Sequence, residues 1–222
     1  MFWTLVLSHL IADYPLQTDR MVQAKRQFRG LTLHIAVHLL TMFVLSGRAT
    51  LIVWPQLLAL GAIHFAIDGI KNVTALRWPQ YVVVPYLIDQ LIHFLSIGLI
   101  AAWIEQRHGI RHDQQWMLYA AAYLFVTHIW FISERLVAHD NQAVREKIQA
   151  QRWQRMIVRA AMLTAYLLVG RFVVNPVLAA FGFPLFAGLW RYPYGDCRFG
   201  RSMLLLDLFV PLVVALLLLW LT

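Results

Sequence analysis

Seven apolar segments run through this chain, and each of the first four holds one pair of His or Asp residues spaced four apart. The pairs are His9 and Asp13, His34 and His38, His64 and Asp68, and Asp89 and His93. A spacing of four sets both side chains on one face of a helix, one turn apart. Inside those four segments there is no other Asp, Glu, Lys, Arg or His, and Lys71 stands just beyond the edge of the third. Polar groups within a membrane are costly, and they face a site or a neighbouring helix rather than lipid. The eight residues therefore read as one buried constellation.

The segments span Phe2–Leu16, Leu31–Gly47, Leu51–Ile70, Tyr81–Ile104, Trp116–Val137, Met156–Val174 and Met203–Leu221. A membrane-crossing helix needs about 20 mostly apolar residues. The chain of 222 residues is 60% apolar and 14% charged, against roughly 45–50% and about 25% in soluble domains. The pattern predicts an all-α integral membrane protein, with about seven transmembrane helices in one bundle. The first two segments are short for full spans, and Pro15 removes a helical hydrogen bond near the end of the first. Residues 1–104 form the expected four-helix His/Asp core. Residues 105–222 supply three further spans, with a basic connection at Asp140–Arg155 that suits a short interfacial helix carrying Val144 and Ile148. The stretch Val177–Trp190, broken by Gly182 and Pro184, reads as a re-entrant or interfacial piece or an extension of the sixth span.

The formal net charge of +8 reflects basic loops facing anionic lipid rather than a nucleic-acid partner. The single cysteine, Cys197, excludes an internal disulfide and a Cys-rich zinc site, and reads as an ordinary loop thiol. Met1-Phe2 is no positive n-region and no small-residue cleavage site follows, so no cleavable signal peptide is expected. The nine Trp residues mostly sit near segment ends, as aromatic belts do. With seven spans and the N-terminus outside, twelve of the nineteen Lys and Arg residues fall on the cytoplasmic side, Lys25, Arg155 and Arg159 among them. The C-terminus then lies inside. Up-and-down connection brings the four pairs to one membrane face, the cytoplasmic one. Pro85, just before Asp89, suits a helix start.

Imidazole and carboxylate are ligands of zinc, iron and manganese. Bundles build such sites from inward-facing side chains. The expected centre holds one or two divalent ions, zinc by donor type, with His9, His34, His38, His64 and His93 as ligands. Asp13, Asp68 and Asp89 are ligands or the general base. A metal lowers the pKa of bound water to about 7 and polarises a carbonyl or phosphoryl oxygen. Gln17, Lys71, Gln90 and His128 are candidates for the surrounding shell. Gln17 and Gln90 are more economically read as helix-end polar residues, Lys71 as a partner of Asp68 or of an anionic substrate group, and His128 as interhelical hydrogen-bond glue. Lys25 reads as a lipid-facing charge, and His108 and His112 as a solvated turn.

The arrangement S-H-x-x-x-D-Y-P-L-Q at Ser8–Gln17, H-x-x-x-H at His34–His38, H-x-x-x-D-x-x-K at His64–Lys71 and D-Q-x-x-H at Asp89–His93 resembles an uncharacterised bacterial membrane family, domain of unknown function 3307. The resemblance covers roughly the first 100 to 130 residues. It implies a shared polar core and a bacterial inner-membrane location, and no established activity. A looser likeness is to membrane-bound metal-dependent hydrolases. The chain has no H-E-x-x-H of the zinc proteases.

The expected function is a metal-dependent membrane hydrolase acting on a lipid or other amphiphile at the cytoplasmic face. The alternatives are a transporter of divalent cations or protons through the same residues, a b-type haem protein, and a non-catalytic membrane sensor. The apolar outer halves of the spans speak against a transit path, and three carboxylates are unwelcome beside haem.

Overall fold

The computed structural model describes residues 1–78, 81–110, 114–172 and 198–222. Every regular element among them is helical. The sequence expectations for Val177–Trp190, Cys197 and His112 lie outside the described residues. The chain divides into two compact units, 1–121 and 122–222, a boundary later than the expected one after residue 104.

In the first unit, α1 (Phe2–Asp13), α3 (Phe28–Ser46), α4 (Thr50–Arg77) and α5 (Val83–His108) form a four-helix ring. Helix α1 packs on α3 and α5, and α4 closes the ring between them. With 12 residues, α1 is about 18 Å long at about 1.5 Å per residue, too short for a bilayer core of about 30 Å. It is buried on nearly all sides, every side chain from Thr4 to Leu10 being covered. A helix apolar all round belongs in such a central position. Tyr14 caps it, ahead of Pro15.

Two local devices aim the neighbouring helices. Gly47, at φ 54°, begins the 3₁₀ turn Gly47–Ala49 that folds α4 back along α3; a positive φ is unfavourable with a side chain. Between α1 and α3 lies α2 (Asp19–Ala24), a short helix absent from the sequence reading, started by Thr18, whose hydroxyl accepts from the Met21 amide. Gly30 lets this turn press against α3: a Cβ there would meet the Ala24 carbonyl oxygen at 2.0 Å.

On α3, α4 and α5 large apolar side chains face outward while the polar pairs are buried. Leu33, Leu40 and Val44 on α3, Leu51, Ile70 and Val73 on α4, and Leu87, Leu91, Leu95 and Leu99 on α5 are exposed. His34, His38, His64, Asp68, Asp89 and His93 on the same helices are buried. Water would reverse that preference; hydrocarbon accounts for it.

The second unit contains the π-turn Phe125–Ile129, α7 (Trp130–Val137), α8 (Gln142–Ala150), α9 (Arg152–Phe172) and α10 (Arg198–Leu221), with α6 (Gln115–Leu124) leading into it. Helix α8 is the expected short amphipathic helix. Asn141 caps it by accepting from the Val144 amide, and Ile148 is buried against Phe131 and Met156, with Val144 packed beside them. Helices α9 and α10 pack along each other.

Four stretches are long and apolar enough to cross a membrane: Phe28–Arg77, which holds the α3–α4 hairpin, Val83–His108, Gln115–Val137 and Ser202–Leu221. Among the described residues this falls short of seven full spans. Helix α1 is too short, and α9 carries Arg152, Arg155, Arg159 and Arg171.

Candidate metal centre

The eight paired residues meet in the first unit. His9 and Asp13 close the C-terminal half of α1, and His34 and His38 lie in the first half of α3. His64 and Asp68 lie in the second half of α4, and Asp89 and His93 in the first half of α5. Antiparallel neighbours place these positions at one level.

The imidazoles crowd together, His9 and His93 stacked and the other pairs tilted or edge-on. Ring centroids are 3.9 Å apart for His38 and His64, 4.0 Å for His64 and His93, 4.6 Å for His34 and His38 and 5.1 Å for His9 and His93. Asp13 Oδ1 lies 3.1 Å from His38 Nε2 and 3.2 Å from His34 Nε2, while its Oδ2 lies 3.5 Å from His9 Nε2. Asp68 Oδ2 lies 3.3 Å from His34 Nε2 and 3.7 Å from His64 Nε2. The His93 Nδ1 sits 2.7 Å from the backbone carbonyl of Asp89, one turn back.

Three groupings have all their ligand atoms within 4.8 Å of one another: His9, Asp13, His38 and His64; His34, His64 and Asp68; and Asp68, Asp89 and His93. His64 belongs to two of them, and so does Asp68. Both ring nitrogens of His9 and His34, Nε2 of His64 and His93, and Oδ1 of Asp89 are buried and make no well-aligned hydrogen bond, although Nε2 of His34 and of His9 face carboxylates at 3.2–3.5 Å. Unsatisfied buried polar atoms are uncommon and cost about 1–3 kcal/mol each. Seven in one cluster ask for a ligand. The donor set of imidazole and carboxylate, with no thiolate, suits zinc, iron or manganese. A cavity of about 10 Å³ adjoins the rings of His9, His38, His64 and His93 and is lined on its apolar side by Leu5, Met42, Leu60 and Ile97.

The surroundings correct several sequence expectations. Lys25 is not a lipid-facing charge: α2 turns it inward, its side chain is 12% exposed, and its Nζ reaches Asp68 Oδ2 at 3.4 Å and Gln17 Oε1 at 2.8 Å. The backbone carbonyl of Lys25 accepts from Asn72 on α4. Lys71 donates not to Asp68 but across to Asp89 on α5, at 2.6 Å. Gln17 therefore positions Lys25, and Gln90 donates to Asp89 Oδ2 at 3.2 Å, so both are more than helix-end residues. Tyr14 and Tyr86, not singled out in the sequence, share a 2.6 Å hydrogen bond, and the Tyr14 hydroxyl also lies 3.4 Å from Gln90 Oε1.

His128 belongs to none of the three groupings; it sits in the π-turn, its Nδ1 3.0 Å from Thr127 Oγ1. His108 is not a solvated turn residue. It ends α5 and its Nε2 lies 2.9 Å from the amide nitrogen of buried Gln56.

A second charge cluster, also unforeseen, lies in the second unit. Arg155, Arg159 and Asp207 are fully buried, whereas the sequence reading put both arginines among the cytoplasmic loop charges. Arg155 pairs with Asp207 through two 2.8 Å bonds and with Glu134 at 2.6 Å. Arg159 lies 3.2 Å from Asp207 and 3.5 Å from Glu134, and donates to the Val126 carbonyl in the π-turn. The signal was present: Arg155 and Arg159 are four apart, and Asp207 is the one acidic residue of the last apolar segment.

Fold and core together define an all-α integral membrane protein with a buried His/Asp cluster in its N-terminal half. Residues 1–122 match the family described as Protein of unknown function (DUF3307), and the chain belongs to that family. No curated protein matches the chain, and no solved structure does.

Proposed function

We propose that the His/Asp cluster is a divalent-metal centre, zinc by the character of its donors, and that it hydrolyses a lipid or another amphiphile. The observation that carries this reading is the buried grouping of His9, Asp13, His38 and His64, ligand atoms within 4.8 Å of one another, in which Nδ1 of His9 and Nε2 of His64 make no hydrogen bond. Three imidazoles with one further position match the donor set of catalytic zinc. The metal would supply an acidified water and polarise the substrate oxygen. Asp13 is the general base on this reading, with Asp68 and Asp89 as further ligands. The water oxygen bonds to the electrophilic carbon or phosphorus, its proton passes to Asp13, and the leaving group departs with that proton. The setting is the bacterial inner membrane, with the N-terminus outside, the C-terminus inside and the cluster toward the cytoplasm. The loop-charge argument for that orientation is narrower once buried Arg155 and Arg159 are taken out of it.

The test is turnover. Purified chain in detergent, given lipid esters, amides and phosphates, should hydrolyse one class, lose activity to a chelator and regain it with zinc. Transport is the rival outcome: zinc or proton flux in proteoliposomes without hydrolysis would replace this reading. Leu5, Met42, Leu60 and Ile97 border the rings on one side, where a transit path would continue in polar residues.

A further inference from the structure

We infer that the centre holds two divalent ions and that Lys25 and Lys71 make it a site for a phosphate monoester carried on an amphiphile. This rests on the metal-centre reading above and goes further, to the number of ions and the substrate class.

The grouping of Asp68, Asp89 and His93 is distinct from that of His9, Asp13, His38 and His64, with no residue in common. It has its own unpartnered buried atoms, Asp89 Oδ1 and His93 Nε2. Asp68 and Asp89 are also the two carboxylates that the lysines contact, Lys25 on one and Lys71 on the other. Both lysines come in from the same end of the bundle, Lys25 just past α2 and Lys71 one turn beyond Asp68. Lys71 is the more open, its side chain 30% exposed. An ammonium has three donors. Lys71 donates to Asp89, and Lys25 to Gln17 and Asp68, so each keeps a donor for an incoming oxygen.

Charge decides between substrate classes. Three carboxylates against two ammonium groups, with neutral imidazoles, leave one negative charge. One dication turns that into one positive charge, and a neutral ester or amide could then be the substrate. Two dications leave three positive charges. A phosphomonoester dianion brings the site back to one, the same balance as a single ion with a neutral substrate. Uncompensated charge is expensive in a low-dielectric interior, so a second ion beside two lysines requires an anion. Two-metal sites with ions about 3.5–4 Å apart serve phosphoryl transfer in this way. Water oxygen bonds to phosphorus and its proton goes to Asp13. The phosphorus–oxygen bond to the alcohol breaks, and the alcohol oxygen takes the proton. The products are the alcohol and inorganic phosphate.

The experiment uses the full chain in detergent. Zinc is titrated and counted per chain. Inorganic phosphate and short-chain phosphatidate micelles are then titrated against the loaded protein by calorimetry. Two zinc ions per chain are expected, with phosphate binding that falls at least tenfold in Lys25→Gln/Lys71→Gln while both ions stay. The Lys25→Arg/Lys71→Arg protein should retain most of it, which separates lost charge from a misfolded chain. Tighter binding of phosphatidate identifies a lipid headgroup as the source, and equal binding a free phosphate compound. One ion per chain, or phosphate binding that ignores the lysines, overturns the inference and leaves a metal centre standing. No zinc at all overturns both.

Discussion

The two units each bury a charged cluster among apolar helices, and the clusters differ in how they are satisfied. Arg155, Arg159, Glu134 and Asp207 balance two against two, and every charge meets an opposite one within 3.5 Å, although Glu134 Oε2 and Arg155 Nη1 make no hydrogen bond. The His/Asp cluster is lopsided: most of its imidazole nitrogens face each other or a shared carboxylate, and seven polar atoms make no well-aligned hydrogen bond. The first arrangement closes its charge as a structural tie between α7, α9 and α10. The second is the one we propose to be closed by a cation. Burial alone does not separate function from glue; the balance of charge does.

The comparison breaks first at Asp207. Asp207→Leu would leave two buried guanidinium groups with one carboxylate, at a cost of about 3–5 kcal/mol. Replacing all four residues by apolar ones of similar size should cost far less. Thermal unfolding in detergent reads both. Equal losses in the two proteins would show that the tetrad is not a closed balance.

A smaller effect is expected from removing metal. Chelation should lower the stability of the wild type by about 2–3 kcal/mol if free metal had stood near 100 times its dissociation constant. The His64→Ala protein should ignore the chelator, since His64 serves two of the three groupings. The Asp207→Leu protein should respond as the wild type does.

Gly30→Ala sharpens the role of α2. The new methyl group meets the Ala24 carbonyl, an overpacking of about 1–3 kcal/mol. It should shift Lys25 and weaken phosphate binding, with metal content unchanged. The smallest change is Asn141→Ala, which removes the cap of α8 for about 1 kcal/mol and should touch neither cluster.

The legible part of the site was the part written in local spacing. Pairs four apart within apolar segments located all eight core residues, because a helix turns that spacing into a common face and hydrocarbon fixes which face turns inward. Lys25 was illegible for the opposite reason. Its direction depends on α2, a six-residue helix fixed by Thr18 at one end and the Gly30 contact at the other. Lys71 was legible as a residue beside the site, but its choice of Asp89 over Asp68 is set by how α4 and α5 pack. Arg155 and Arg159 obey the same spacing of four as the His/Asp pairs. Arg155 was read as a loop charge because α9 starts at Arg152, four residues before its apolar run; Arg159 lies inside that run, one turn from its start. The count of seven spans is not confirmed among the described residues, α1 being short and α9 carrying four arginines.

The central claim is that the imbalance of the His/Asp cluster is met by bound metal. Elemental analysis of chelator-free protein, wild type beside His64→Ala and Asp207→Leu, tests it most directly. The account predicts stoichiometric divalent metal in the wild type and in Asp207→Leu, and its loss in His64→Ala. Metal-free wild type, or equal metal in all three proteins, would contradict it.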